Sequence, residues 1–250
     1  MVPSLVPAII TATVAFIAAL IAQFLSHHFS RKREEIKEYK QVNQELIFPN
    51  LNDVILFIET ETHFRKGHDV EETIDPNKII KEFQSKISYG NTSLISALHR
   101  YRNSIAYFDG RGEAQNMRTF EVFFTYLGYA EESLKKSNIH DDYLLKLIKN
   151  NQKIYGISFL LADLIGKEKT FQLLSHRWLW SYDFLDRIST SLLEELIANY
   201  NNHSVYNHKL MCFINVIKEG FYESSDLEGM GYLKDLVEEM IESVRFKISQ

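Results

Sequence analysis

The chain opens on an uninterrupted apolar run and then changes to periodic stripes. From Leu5 to Leu25 it reads LVPAIITATVAFIAALIAQFL, without a charged residue and with Thr11, Thr13 and Gln23 as its only polar side chains. About 20 apolar residues in helix cross the hydrocarbon core of a bilayer, so the run has the length of one crossing. Pro7 falls in the first turn, where a missing N–H costs little. A cleaved signal peptide fits poorly: no Lys or Arg precedes Leu5, and Ala22 has Leu20 rather than a small residue two places earlier. A core helix fits poorly as well, because no polar face interrupts the run. The pattern predicts a transmembrane signal-anchor over residues 1–30, with Leu5, Ala15, Ala19 and Leu25 inside the span.

Past the run, apolar residues return at Ile36, Tyr39, Val42 and Leu46, one narrow helical stripe. This juxtamembrane extension, residues 31–48, is expected to continue the anchor as a rod of roughly 60 Å. Pro49 disfavours helix at Phe48 and is expected to end it. The stripe suits either a short coiled coil with a second copy or packing on the chain's own domain, and its period does not choose between them.

Residues 49–250 repeat the helical period without a stretch of strand alternation. A helix is expected over 51–65, capped by Asn50 or Asn52 and stopped near Gly67. Asp75-Pro76 reads as the start of another, carrying Ile79, Ile80, Phe83 and Ile87. Leu94, Leu98, Tyr101, Ile105 and Phe108 form the next stripe, and Phe120, Phe123, Leu127, Ala130 and Leu134 the one after. Residues 141–165 read as one helix, or two broken near Asn150-Asn151, ending at Gly166. No Gly or Pro interrupts 168–200, which predicts the longest helix after the anchor. Two more are expected, near 204–221 and 232–248. The fold class is therefore all-α: an N-terminal single transmembrane helix followed by an irregular cytoplasmic bundle of about seven to nine helices.

Charge fixes the expected orientation. Arg31, Lys32, Arg33, Lys37 and Lys40 crowd the far side of the apolar run. The positive-inside rule then puts Met1 outside and the helical domain in the cytoplasm, at the inner or plasma membrane. Glu34, Glu35 and Glu38 dilute the cluster, so it reads as a topology signal with lipid attraction as a minor addition. A single Cys212 accords with a reducing compartment and excludes an intramolecular disulfide framework, and the sequons at Asn91 and Asn202 then read as chance. A net charge of −5 gives no ground for a nucleic-acid partner.

Candidate chemistry is sparse. None of the phosphate-loop, dinucleotide, zinc-protease or nucleophile-elbow motifs occurs. Glu59 and His63 share a helix face and read as a surface pair rather than metal ligands, and His27-His28 and His203/His208 carry no better case. Arg102-Asn103 resembles the start of the R-N-x-x-x-H motif of HEPN ribonucleases, but Tyr107 stands where the motif's His would be. Trp178, Trp180 and Tyr182 cluster beside His176 and Arg177. Trp178 fits the apolar stripe, whereas Arg177 and Trp180 are the candidate contact surface. The acidic loop at 223–229 does not match a calcium-binding spacing. No metal and no cofactor is expected.

These observations point to a membrane-anchored, non-enzymatic interaction or regulatory module. The alternatives from other classes are an inner-membrane effector of a phage-defence or toxin-like system and a helical RNase-like enzyme built around Arg102. The expected partners are the bilayer, an unidentified protein and a second copy. Ala8/Ala12, Ala15/Ala19 and Ala18/Ala22 have the small-xxx-small spacing that lets helices approach in lipid.

Overall fold

A computed structural model describes residues 6–68, 74–107, 113–176, 184–200, 203–222 and 231–249. Every regular element among them is helical. Helix α1 spans Val6–Val42, a π-turn Asn43–Ile47, α2 Phe48–Glu61, α3 Pro76–Ser85, a 3₁₀ turn Ile87–Tyr89, α4 Thr92–Ala106 and α5 Glu113–Lys136. Then come α6 Asp142–Ile165, α7 Lys167–Ser175, α8 Phe184–Arg187, α9 Thr190–Ala198, α10 His203–Tyr222 and α11 Gly231–Ser249. The all-α class with one long apolar N-terminal helix is what the structure shows.

The first part of α1 is long and apolar enough to cross a membrane, and none of its apolar window is buried by the rest of the chain. Phe16 and Phe24 are 65% and 73% exposed, which excludes a core helix of this domain. Thr13 returns its hydroxyl to the Ile9 carbonyl at 2.8 Å, the usual way a helix hides a threonine from an apolar medium.

Pro49 does not end the rod. The helical path runs on from Ile9 to Glu61, and Phe48 keeps helical dihedrals of −59° and −38°. The π-turn is the reason. Phe48 N–H reaches back five residues to the Asn43 carbonyl, and the widened turn absorbs the register that proline breaks. Carbonyls around the break find side-chain donors: Asn50 Nδ2 reaches the Leu46 carbonyl at 2.8 Å and the Tyr126 hydroxyl the Ile47 carbonyl at 2.6 Å. Asn50 thus serves the helix from inside rather than as its cap, and α2 stops at Glu61, short of Arg65.

The extension's stripe packs on the chain's own domain. Ile36, Tyr39 and Val42 are partly covered and Leu46 is fully buried, against α5. Asn43, a position the sequence reading passed over, is 1% exposed there. Its Nδ2 donates to Ser137 Oγ and its Oδ1 accepts from Ser133 Oγ, each at 2.7 Å. Lys136 Nζ closes the edge on the Tyr39 hydroxyl at 2.9 Å.

Helices α5 and α6 form the central hairpin, with α4 and the foot of α1 around α5, and α2, α7, α9 and α11 around α6. All five residues of the α5 stripe are buried, and Phe123 meets Phe57, Phe83 and Tyr155 edge-on. Each such side chain stabilises the fold by ~1.5–3 kcal/mol through area removed from water. Tyr155 donates its hydroxyl to the Val54 carbonyl at 2.5 Å and ties α6 to α2. The predicted starts at Asp75 and Asp141 are N-caps, and α6 is one helix that ends at Gly166 with φ +81°. Ile105 departs from its stripe and is 51% exposed, and Ile87 falls in the 3₁₀ turn after α3.

The long helix expected over 168–200 is three. His176 closes α7, α8 is a single turn, and Ser189 starts α9 by accepting the Leu192 N–H. No Gly or Pro marks these breaks. The one between α8 and α9 follows from capping by Ser189 and from Lys153, whose ammonium, 5% exposed as a residue, takes the Leu185 carbonyl at 2.5 Å. Burial lowers the Lys153 pKa from its ordinary value.

Candidate functional site

The outward face of α5 borders a cavity of about 750 Å³. Residues from α4, α5, α6 and α9 line it, together with Tyr200 just beyond α9. This volume is in the range of small-molecule sites, which span ~300–1,000 Å³.

Glu121 organises one side. It sits among Phe120, Val122, Phe123 and Phe124 on an otherwise apolar turn and is 1% exposed. A carboxylate taken out of water needs partners. Arg118, one turn earlier on α5, reaches Glu121 Oε2 at 2.7 Å, and Arg100 of α4 reaches Oε1 through Nε at 2.7 Å and a terminal nitrogen at 2.6 Å. Two guanidinium groups therefore share one carboxylate and leave one positive charge in excess. Arg118 also lies over aromatic rings, 5.5 Å from the Tyr200 centroid and 5.9 Å from that of Phe159.

Tyr200 is locked in turn. Its hydroxyl donates to Asp163 Oδ1 at 2.6 Å, and its ring meets Tyr206 edge-on. Burial first, then the charge of Asp163, raises the Tyr200 pKa, so the phenol stays protonated and serves as a wall of the cavity.

The other side is built from amide and hydroxyl groups. Gln152 of α6 is 2% exposed, yet its Oε1 meets no hydrogen-bond partner among the described residues. Thr190 Oγ1, at the first turn of α9, is in the same condition. The amide has room because residue 128 is glycine: a Cβ there would stand 2.7 Å from Gln152 Nε2. Lys149 and Glu194 add opposite charges to the lining, while Glu131 and Glu132 are paired with Lys135 and Lys136 at 2.6 and 2.8 Å. In the lining, Arg100, Arg118 and Lys149 stand against the carboxylates of Glu121, Glu131, Glu132 and Glu194. Such an arrangement can hold a polar molecule. Both oxygens of Glu121 are occupied by cations, which makes it an organiser of the arginines.

The residues singled out from sequence lie elsewhere. Arg31, Lys32, Arg33, Lys37 and Lys40 are all exposed along α1 just past its apolar segment, and Ala15, Ala19 and Leu25 are exposed within it. Leu5, Arg177 and Trp180 fall outside the described residues, as do Trp178 and Tyr182. Arg102 and Asn103 are exposed on α4, with Asn103 Nδ2 3.3 Å from His99 Nε2. Glu59 and His63 do not meet: Glu59 faces Asn151 of α6, and the His63 ring accepts the Arg65 N–H. Among the described residues no three His, Cys, Asp or Glu side chains gather as metal ligands.

None of the cavity's key residues was singled out from sequence as a site. One signal was present: Glu121 interrupts the apolar run from Phe120 to Phe124, and a carboxylate in a buried stripe implies cations brought to it from elsewhere. No family model, no curated protein and no solved structure matches the chain.

Proposed function

We propose that the protein is a single-pass membrane protein whose helical domain works as a non-catalytic binding module on the cytoplasmic face. One observation carries this reading. The apolar part of α1 is wholly uncovered, while its foot is fastened into the domain core by Asn43, Leu46 and Ile47. An apolar surface of that extent needs a cover, and its length suits the bilayer. The exposed basic residues from Arg31 to Lys40 lie on the side that the positive-inside rule assigns to the cytoplasm. A second copy is the proposed lateral partner through Ala15 and Ala19. The aqueous stripe is already used against α5, so apolar pairing rests on the lipid-facing segment alone.

Alkaline carbonate tests the anchor: the full chain stays with the membrane pellet, whereas a chain beginning at Arg31 is released. Release of intact full-length protein would overturn the reading. Sidedness is read at Cys212, the sole cysteine and exposed on α10. A membrane-impermeant maleimide labels it only after permeabilisation, and labelling in intact cells reverses the topology. Crosslinking between copies in native membranes weakens on replacing Ala15 and Ala19 with Leu.

A further inference from the structure

Beyond its apolar segment, helix α1 has two faces with different fates. Tyr39, Val42 and Leu46 turn toward α5 and are partly or fully covered. Nearly opposite on the same turns stand Glu34, Lys37 and Gln41, spaced three and four and all exposed. Arg33 borders this second face along one edge and Glu38 along the other, and both are exposed. Gln41 Nε2 lies 3.4 Å from the Tyr89 hydroxyl, which marks where the domain begins to border the face. Among the described residues no ion pair engages Arg33, Glu34, Lys37 or Glu38. Arg33 Nε takes the Phe29 carbonyl one turn back, at 3.4 Å. Arg33 and Lys37 are four apart, as are Glu34 and Glu38, a spacing at which like charges repel within one helix.

We infer that this face pairs with the same face of a second copy, as a short parallel two-helix contact just beyond the membrane. Two chains anchored with the same topology can only meet in parallel. Counted in heptads, Glu34 and Gln41 are a positions, Lys37 is d, Arg33 is g and Glu38 is e. In a parallel pair, a g residue stands beside the e residue five places on in the other helix. Arg33 of each copy therefore meets Glu38 of the other, and two-fold symmetry makes the contact twice. The seam between them is complementary as well: Glu34 fits between Arg33 and Lys37 of the second copy, and Lys37 between its Glu34 and Glu38. An anionic lipid surface would attract Arg33 and Lys37 and repel Glu34 and Glu38 on the same face, whereas a second copy satisfies all four. The edge also continues into the bilayer. Ala19, Ser26 and Arg33 are seven apart, so the side that carries Ala19 in lipid carries Arg33 in water. This inference rests on the self-association proposed above and extends it past the lipid, supplying charge where the apolar stripe is spent on α5.

The test reverses these charges in the full chain, reconstituted in phosphatidylcholine vesicles with donor and acceptor dyes on Cys212, the sole cysteine and exposed. Wild-type chains give energy transfer between copies. Arg33→Glu sets like charges at both contacts and weakens self-pairing about tenfold, and Glu38→Arg does the same. Mixing the two variants restores opposite charges at both contacts, so energy transfer between them returns to near the wild-type level. Misfolded chains could not produce that rescue. Both variants pairing with themselves as the wild type does would overturn the inference, and Ala15→Leu with Ala19→Leu would then judge the lipid contact on its own. Weak self-pairing of each variant without rescue in the mixture overturns it equally, because Arg33 and Glu38 would not stand opposite each other. Wild-type chains without energy transfer overturn both this inference and the self-association it rests on.

Discussion

Two buried polar clusters sit on α5, and they differ in how well they are satisfied. Toward its C-terminus, Ser133 and Ser137 grip Asn43 from the foot of α1, and both ends of that amide are bonded at 2.7 Å. Farther toward its N-terminus, the same helix presents Arg118, Glu121 and Gly128 to a cavity, and in its wall Gln152 and Thr190 keep buried oxygens that are unpartnered among the described residues. Satisfied polar groups in a core act as specific glue, because any slip of the helix leaves them unpaired in a medium of low dielectric. Unsatisfied ones closed off from water are a standing cost to the fold. One cluster therefore fastens the foot of α1, and the other leaves a desolvation cost unrelieved.

The comparison breaks most visibly at Asn43. Replacing Asn43 with Leu strips two buried hydrogen bonds and leaves the Ser133 and Ser137 hydroxyls facing an apolar side chain, a loss of about 2–3 kcal/mol. Chemical denaturation of the full chain in detergent measures it. A change below a few tenths of a kcal/mol would mean that the two serines are served without Asn43.

Glu121→Gln comes next. The substitution keeps the shape and removes the charge that two guanidinium groups share, so the cost is about 1–2 kcal/mol, moderated because Arg100 is partly in water. The same variant frees positive charge and should tighten inorganic phosphate. Phosphate affinity that falls with stability would show that Glu121 positions the arginines more than it neutralises them.

Alkaline pH acts on the tyrosines near both clusters, with a smaller effect at any one site. Tyr129 donates to the Tyr89 carbonyl at 2.9 Å, and burial, aided by Tyr39 and Glu132 against the opposing charge of Lys136, pushes its pKa up to about 12. The unfolded phenol titrates near 10, so it releases its proton before the folded one does. Stability from this group is complete below pH 10 and drains away as pH rises from 10 toward 12. Tyr129→Phe should flatten the fall of unfolding free energy across that window. An unchanged slope would assign the alkaline loss to Tyr126, Tyr155, Tyr200 and Tyr206, whose pKa values burial also raises.

The bundle was legible in the sequence because burial writes itself as a period. Phe120 to Leu134 along α5 and Leu210 to Ile217 along α10 are spaced for one face, and the structure buries them. Asp75, Asn91 and Asp141 cap helices as short polar side chains before apolar stripes do. What could not be read was anything decided by a distant partner. Pro49 carries a strong local stop signal, overridden by a π-turn and by the Tyr126 hydroxyl from far along the chain. The break between α8 and α9 is partly set by Lys153 on α6. The cavity is the extreme case, since Arg100, Gln152 and Thr190 are unremarkable singly and gain meaning only when three helices bring them to one side of α5.

The smallest effect separates the two clusters most cleanly. Gln152→Leu removes a buried amide whose oxygen is already unpaired, so little bonding is lost and a desolvation cost disappears. Leucine is shorter, but Gly128 opposite leaves room for adjustment, and the expected change lies between zero and a gain of about 1 kcal/mol. The contrast with Asn43→Leu is the point. Both are buried amides exchanged for the same apolar residue, and they should move stability in opposite directions. Equilibrium unfolding of the two variants side by side, in the same detergent, measures this directly. A loss above about 1 kcal/mol for Gln152→Leu would show that its oxygen is held by ordered water worth keeping. The cavity end of α5 would then be structural in the same sense as the Asn43 clamp, and the division between a satisfied and an unsatisfied cluster would fall.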